Sequence, residues 1–160
     1  MSGYLYTFLL LAAVIGIMGQ AEGSSEGNNS SIYRNILIQA LTQYDEDLNS
    51  SSYILDEFVK KNISSNDAMI ATTSLFILAS HTLETIEFAK LPLEYEDYHN
   101  DTIRALEYLR EYLWDMAKFY ETNEIGYAFS ARDNFNSSLY YYEKGKNLLK
   151  MGEVIEPQKL

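Results

Sequence analysis

The stretch YEDYHNDTIRALEYLREYLWDMAKFY, residues 95–120, decides the fold of this chain. Its mostly apolar positions recur at alternating intervals of four and three residues, the spacing of one face of an α-helix. These positions are Tyr95, His99, Thr102, Leu106, Leu109, Leu113, Met116 and Tyr120. We therefore predict a helix over residues 95–121. Its start is fixed by Pro92, because proline cannot continue the helix that precedes it.

Three further segments show helical patterns. Residues 32–61 repeat the same spacing at Leu37, Leu41, Tyr44, Leu48, Ser51, Leu55 and Phe58. Residues 67–89 are apolar on nearly every side in their first half, so we expect this helix to be the most buried. Residues 124–150 bring to one side Ala128, Phe135, Leu139, Tyr142 and Leu149. Gly152 and Pro157 are expected to close this last helix.

The connections between these segments are short. A turn is expected at residues 62–66, with Ser65 or Asn66 as the N-cap before Asp67, and another at residues 122–124. Short connections make sequential helices antiparallel neighbours. The sequence thus predicts an all-α, up-down-up-down antiparallel four-helix bundle over residues 32–151, with a C-terminal tail at 152–160.

The first 21 residues, MSGYLYTFLLLAAVIGIMGQA, carry no charged side chain. The apolar run from Tyr4 to Met18 suits the core of a signal peptide, and Gly19 and Ala21 supply small residues for cleavage. We favour a cleaved signal peptide, with an uncleaved N-terminal anchor as the alternative, since no Lys or Arg precedes the run. Residues 22–31, EGSSEGNNSS, have the composition of a flexible linker.

Composition and charge narrow the function. The chain of 160 residues has no cysteine and a net charge of −11, which suits one domain without disulfides, thiolate metal sites or cysteine nucleophiles. Nucleic acid is a poor partner, because phosphate contacts need clustered Lys and Arg. Contact with a membrane is expected only through an uncleaved N-terminal segment, and export places the protein outside the cytoplasm.

One spacing suggests a metal. Glu96 and His99 are three residues apart, as in carboxylate-bridged di-metal bundles, but His81 is followed rather than preceded by an acid, Glu84. A single metal held by His81, His99 and a nearby carboxylate stays open. Acids in a first helical turn are also favoured by the helix dipole. We therefore predict structural roles for Glu96 and His99, no metal and no cofactor.

Aromatic side chains crowd the last two helices. They are Tyr98, Tyr108, Tyr112, Trp114, Phe119, Tyr120 and residues 140–142, which are all tyrosine. Consecutive tyrosines on a helix cannot all face the core, so some rings are expected to be exposed. Exposed rings would form a surface for a protein or saccharide partner. Alternatively, the tyrosines rim the core with their hydroxyl groups in water.

Asn-x-Ser/Thr sequons occur more often than the composition predicts by chance. The six asparagines are Asn28, Asn29, Asn49, Asn62, Asn100 and Asn136. Each is a candidate glycosylation site of an exported chain. The alternative is that Asn and Ser only mark turns and helix caps.

These features resemble, in a generic way, a broad set of small exported helical-bundle proteins of prokaryotes, which implies no defined activity. With two histidines and no cysteine, the sequence does not favour an enzyme. We predict an exported, non-enzymatic bundle that acts by binding or as a surface component. The alternatives are a metal-binding bundle and a ligand-sensing bundle.

Overall fold

The structure, a computed structural model, describes residues 26–153 and the side chains of residues 29–146. Helix α1 spans Glu26–Val59, α2 spans Ser65–Phe88, α3 spans Glu96–Thr122 and α4 spans Ile125–Glu153, and a 3₁₀ turn at Leu93–Tyr95 precedes α3. The four helices pack against one another, which confirms the predicted all-α class. The expected signal segment, residues 1–21, lies outside the described residues.

Two helix ends differ from the prediction. Residues 26–31, which we expected to be linker, belong to helix α1. A tertiary contact offsets their weak helix propensity, because the hydroxyl of Ser30 donates a hydrogen bond to Glu94. Helix α4 runs through Gly152 to Glu153, since one glycine lowers helix stability by only about 1 kcal/mol and does not by itself end a helix.

The turn between α1 and α2 falls where the sequence predicts it, but the capping residue differs. Helix α1 is followed by Lys61 in the left-handed conformation, with φ of 62°. The N-cap of α2 is Ser64 rather than Ser65 or Asn66. The Ser64 hydroxyl accepts from the Asp67 amide at 3.1 Å, and the Asp67 carboxylate accepts from the Ser64 amide at 3.4 Å. This reciprocal capping box satisfies two backbone N–H groups at the start of the helix.

Helix α3 is the most buried helix and packs against the other three. Its predicted seam is confirmed from Thr102 to Tyr120, since every seam residue in that range is buried. Our expectation that α2 would be the most buried was wrong. Its buried positions are mostly small or of moderate size, namely Ala68, Thr72, Leu75, Ala79, Leu83 and Ile86. Its bulky Ile70, Ile77 and Phe88 face outward. The small inward residues, such as Ala68 and Ala79, allow the helix to approach the core closely.

Helix α1 presents a slightly different face from the predicted one. Its most buried side chains keep the four-three spacing, but one set lies one residue earlier: Tyr33, Leu37, Ala40, Tyr44, Asp47, Ser51 and Ile54. Leu41 is still buried, Leu48 packs at the edge of the core, and Leu55 is 37% exposed. The predicted core position of Leu55 is therefore wrong. The bulkier leucines flank the contact, while Ala40 and Asp47 occupy its narrower centre.

Candidate functional site

Glu96 and His99 lie in different surroundings in the structure. Ring nitrogen Nδ1 of His99 shares a hydrogen bond with the Tyr33 hydroxyl, and Tyr33 is 1% exposed. The Tyr33 ring also packs 5.5 Å from that of Tyr95. Burial lowers the pKa of His99, which favours the neutral form of its imidazole. Glu96 is exposed in the first turn of α3, where its charge faces the positive end of the helix dipole.

In catalytic sites, a hydroxyl group hydrogen-bonded to an imidazole acts as a nucleophile with the imidazole as its base. The pKa values of Tyr33 and His99 bear on whether this pair can transfer a proton in that way. Tyr33 is almost fully enclosed, and burial raises its pKa to about 12. Burial acts on His99 in the opposite sense and weakens it as a base. Both shifts oppose proton transfer between the two groups. The hydrogen bond between the two side chains joins α1 to α3.

The other metal-ligand candidates lie elsewhere. His81 and Glu84 are exposed on α2, one helical turn apart. The backbone carbonyl of His81 accepts a hydrogen bond from Thr85 at 2.9 Å. Across residues 26–153, no group of three or more His, Asp or Glu side chains is gathered closely enough to hold a metal ion. The four candidate side chains are thus not brought together in the described part of the chain.

The core contains several polar groups: Ser51 lies in the predicted seam of α1, whereas the burial of Ser138 and Asp47 was not predicted. The hydroxyl of Ser138 donates to the Ala105 carbonyl at 2.7 Å and lies 2.9 Å from the Tyr44 hydroxyl. Ser51 shares a hydrogen bond with a second buried tyrosine, Tyr112, and the two hydroxyl oxygens are 2.8 Å apart. These pairs lie in the buried core. They satisfy buried hydroxyl groups between helices and fix how the helices meet.

Asp47 is the most unusual of these groups. It is 1% exposed, and one carboxylate oxygen accepts from the Gln43 amide at 2.8 Å. The other oxygen has no hydrogen-bond partner among the described residues. Burial is the main cause that raises the pKa of Asp47 to about 7, and the nearby charge of Glu46 adds to it. No sequence motif marks this position. A single Asp in an amphipathic helix is ordinarily exposed, so the burial of Asp47 could not be predicted from the sequence.

The aromatic residues divide between core and surface. Tyr112, Tyr120 and Tyr142 are buried, whereas Trp114 is 44% and Tyr140 is 64% exposed. Tyr140 borders a shallow groove along α4. Tyr141 is half-buried and stacks on Tyr108, with ring centroids 5.9 Å apart. Of the aromatic rings singled out in the sequence, some therefore lie in or at the edge of the core, and Trp114 and Tyr140 project into solvent.

Trp114 belongs to an apolar surface that α2 and α3 share. Its ring lies 5.5 Å from that of Phe76, and the Lys118 ammonium sits 5.0 Å from the indole. Ile77 follows Phe76 in α2, and both Ile77 and Ile70 are more than half exposed. No Asp, Glu, Lys or Arg occurs between residues 68 and 83. Consecutive residues of a helix point about 100° apart, so Ile70 and Ile77 lie on the side of α2 away from the core, beyond Phe76 as seen from Trp114. We call these four residues the Trp114 face.

A second apolar cluster lies between α2 and α3. Phe88 and Leu93 are each 87% exposed, and Leu91 is 36% exposed. We call these three residues the loop cluster. Sequence analysis read this stretch only as a break at Pro92 and missed the cluster. The signal was present, because three bulky apolar residues within six positions are unusual for a turn.

The sequons divide into two kinds. Asn49, Asn62, Asn100 and Asn136 are exposed and Asn29 is partly exposed, while the side chain of Asn28 lies outside the described residues. At three of the exposed sites the hydroxyl residue two positions on is buried, namely Ser51, Thr102 and Ser138. Two residues along a helix turn the chain by about 200°, so an outward Asn is followed by an inward Ser or Thr. Core packing therefore explains part of the excess of sequons.

Comparison with known proteins gives no relative from which a function can be transferred. The chain matches no protein-family model. No curated protein and no solved structure matches it. Among the described helices, only α2 has the length and apolar composition that crossing a membrane requires, and 22% of its most apolar window is buried. Core helices of water-soluble proteins can pass the same test.

Proposed function

We propose that this protein is an exported, non-enzymatic helical bundle that acts outside the cytoplasm by binding a protein or saccharide partner. The observation that carries the proposal is the Trp114 face. It places an indole and two isoleucines in solvent beside a helical stretch without charged residues. Exposed Trp beside aliphatic side chains is typical of binding surfaces, where the partner removes them from water.

The direction in which each helix of the bundle runs is part of this proposal. We infer that the helices run up-down-up-down. Tyr33 near the start of α1 contacts His99 near the start of α3, and Phe58 near the end of α1 packs on Tyr120 near the end of α3. Contacts between α3 and α4 run in opposite order, from Asp101–Lys144 to Asp115–Asn134. Helices α1 and α3 are then parallel, with α4 antiparallel to both.

The binding proposal predicts where a partner attaches. With p-benzoylphenylalanine at position 77, irradiation of the native host should give a discrete cross-linked product, because this position lies in the Trp114 face. The same group at position 129 is the matched control, since Phe129 is 55% and Ile77 62% exposed but they lie on different helices. Protease and glycosidase digestion of the product then distinguishes a protein from a saccharide partner. Equal labelling from both positions would contradict a specific surface.

Export predicts glycosylation, most fully at Asn62. This residue lies in the turn between α1 and α2, and both Asn62 and Ser64 are exposed. At Asn136 the partner hydroxyl of Ser138 is engaged in the core, so glycan transfer has to precede folding. Intact mass of the native protein before and after deglycosylation checks this, with Asn62→Gln expected to remove more glycan than Asn136→Gln. An unmodified native chain would count against the glycosylation proposal.

A further inference from the structure

The loop cluster has more exposed apolar surface than any role within the bundle requires. Phe88 is the last residue of α2, and Leu93 begins the 3₁₀ turn before α3. Both side chains are 87% exposed, although Ile86, only two residues before Phe88, is fully buried. Bulky apolar groups are unfavourable in water, and covering them with another apolar surface is favourable.

The position of the loop cluster indicates what covers it. The start of α1 lies at the same end, since Ser30 donates a hydrogen bond to Glu94 and a shallow groove is lined by both Ser30 and Leu93. Only four residues, 22–25, separate α1 from the uncharged stretch 1–21. A connection this short reaches no more than about 18 Å even when fully extended. A membrane that held residues 1–21 would therefore lie close to the loop cluster.

The length of the N-terminal stretch is compatible with a membrane. Twenty-one residues without charge are enough to cross the hydrocarbon core as a helix, even though the apolar run inside the stretch is shorter. The loop cluster would then meet the lipid–water interface. Tyr95 and Tyr98 flank it, and their rings lie 5.8 Å apart. Tyrosine is enriched at such interfaces because its ring is apolar and its hydroxyl is polar.

The charge around the loop cluster selects the kind of lipid surface. The four acids outnumber the nearby bases Lys90 and Arg34; they are Glu87, Glu94, Glu96 and Asp97. An anionic surface would repel this end of the bundle, so contact has to come from apolar insertion rather than from charge attraction. Lipid with no net charge fits best.

We propose that residues 1–21 remain attached as a membrane anchor and that the loop cluster inserts into the outer lipid interface. This inference rests on the export part of the proposed function and reverses the preference for a cleaved signal peptide. The cluster fixes the orientation of the bundle, with the α2–α3 loop against the bilayer and the α3–α4 turn away from it.

The test uses the full chain reconstituted in phosphatidylcholine vesicles. Trp114→Phe removes the only tryptophan, and Phe88→Trp or Leu93→Trp then places a single reporter in the loop cluster. Phe129→Trp is the matched control, because Phe129 is also exposed but lies near the start of α4, by the α3–α4 turn. Brominated lipid is expected to remove most of the emission from positions 88 and 93 and to leave position 129 nearly unchanged. Circular dichroism checks that each variant is helical, and the two loop variants are independent readings.

Each other outcome overturns a defined part of the proposal. Chains that float with the vesicles but show equal quenching at 93 and 129 would overturn the loop contact. Quenching that appears only after anionic lipid is added would overturn apolar insertion. A mature native chain that begins after residue 21 in the extracellular fraction would overturn the anchor and leave export intact. Intact chains in the cytosolic fraction would instead overturn the proposed function itself.

Discussion

Replacing Asp47 by asparagine is expected to raise the free energy of unfolding by about 2–4 kcal/mol at pH 8 and to change it little at pH 4. The carboxyl group is 1% exposed, and burial raises its pKa from 3.8 to about 7. Each pKa unit corresponds to about 1.4 kcal/mol of difference between the two protonation states. Asparagine has the shape of the protonated acid, and its oxygen can still accept the hydrogen bond from Gln43.

The direction of the pH dependence follows from proton linkage. Between pH 4 and pH 7 the folded chain keeps the Asp47 proton while the unfolded chain has lost it. The folded state then binds more protons, so the contribution of Asp47 to stability falls as pH rises through this window. Below pH 4 both states are protonated and there is no cost. Above pH 7 both states are ionised and the cost is constant.

Urea unfolding from pH 4 to pH 8 measures this effect. Asp133→Asn is the matched control, because it removes the same charge from a side chain that is 68% exposed and paired with Arg132. The difference between the two variants subtracts the general effect of lowering the net charge of −11. If both variants shift stability equally at every pH, the Asp47 carboxylate is not enclosed in solution.

The sequence predicted helix positions well and helix faces less well. In α3 one stripe of the helix is clearly more apolar than the others. Its residues Leu106, Leu109 and Leu113 could therefore be assigned to the core directly. In α1 two neighbouring stripes compete. Leu41, Leu48 and Leu55 look like the better stripe by hydrophobicity, but the structure gives the centre to Ala40, Asp47 and Ile54. Their placement depends on the shapes of the neighbouring helices, which the sequence of α1 does not contain.

The surfaces were harder to predict than the core. Hydrophobicity alone suggested that α2 would be the most buried helix, yet several of its inward positions are small and its Ile70 and Ile77 face solvent. Exposure depends on how many neighbours a helix has, and periodicity in one helix does not count them. The Tyr33–His99 hydrogen bond was equally hidden, because its partners are 66 residues apart in sequence.

Replacing Tyr44 by alanine is expected to lower the free energy of unfolding by about 3–5 kcal/mol, as for other large buried aromatics. Tyr44 is 1% exposed, and its ring stacks on that of Tyr142 with centroids 4.2 Å apart and planes 7° apart. This pair connects α1 with α4. A loss of this size is a large fraction of the stability of a typical small domain.

Tyr44→Phe separates the ring from the hydroxyl group. Since Ser138 donates its own proton to the Ala105 carbonyl, the Tyr44 hydroxyl must donate to Ser138. Phenylalanine keeps the stacked ring and leaves Ser138 with its bond to Ala105, so the expected cost is only about 1 kcal/mol. Tyr53→Ala is the control on the same helix. Tyr53 is 66% exposed, and its removal is expected to cost under about 0.5 kcal/mol.

Equilibrium urea unfolding followed by circular dichroism gives the three values. The order Tyr44→Ala, then Tyr44→Phe, then Tyr53→Ala is the expected order of destabilisation. Equal values for the two alanine variants would mean that α1 does not pack against α4 through this ring in solution. A loss for Tyr44→Phe as large as for Tyr44→Ala would place the energy in the hydrogen bond to Ser138 instead of in the stacked rings. Either result would change which interaction holds α1 and α4 together, because the two contributions come from different atoms of one side chain.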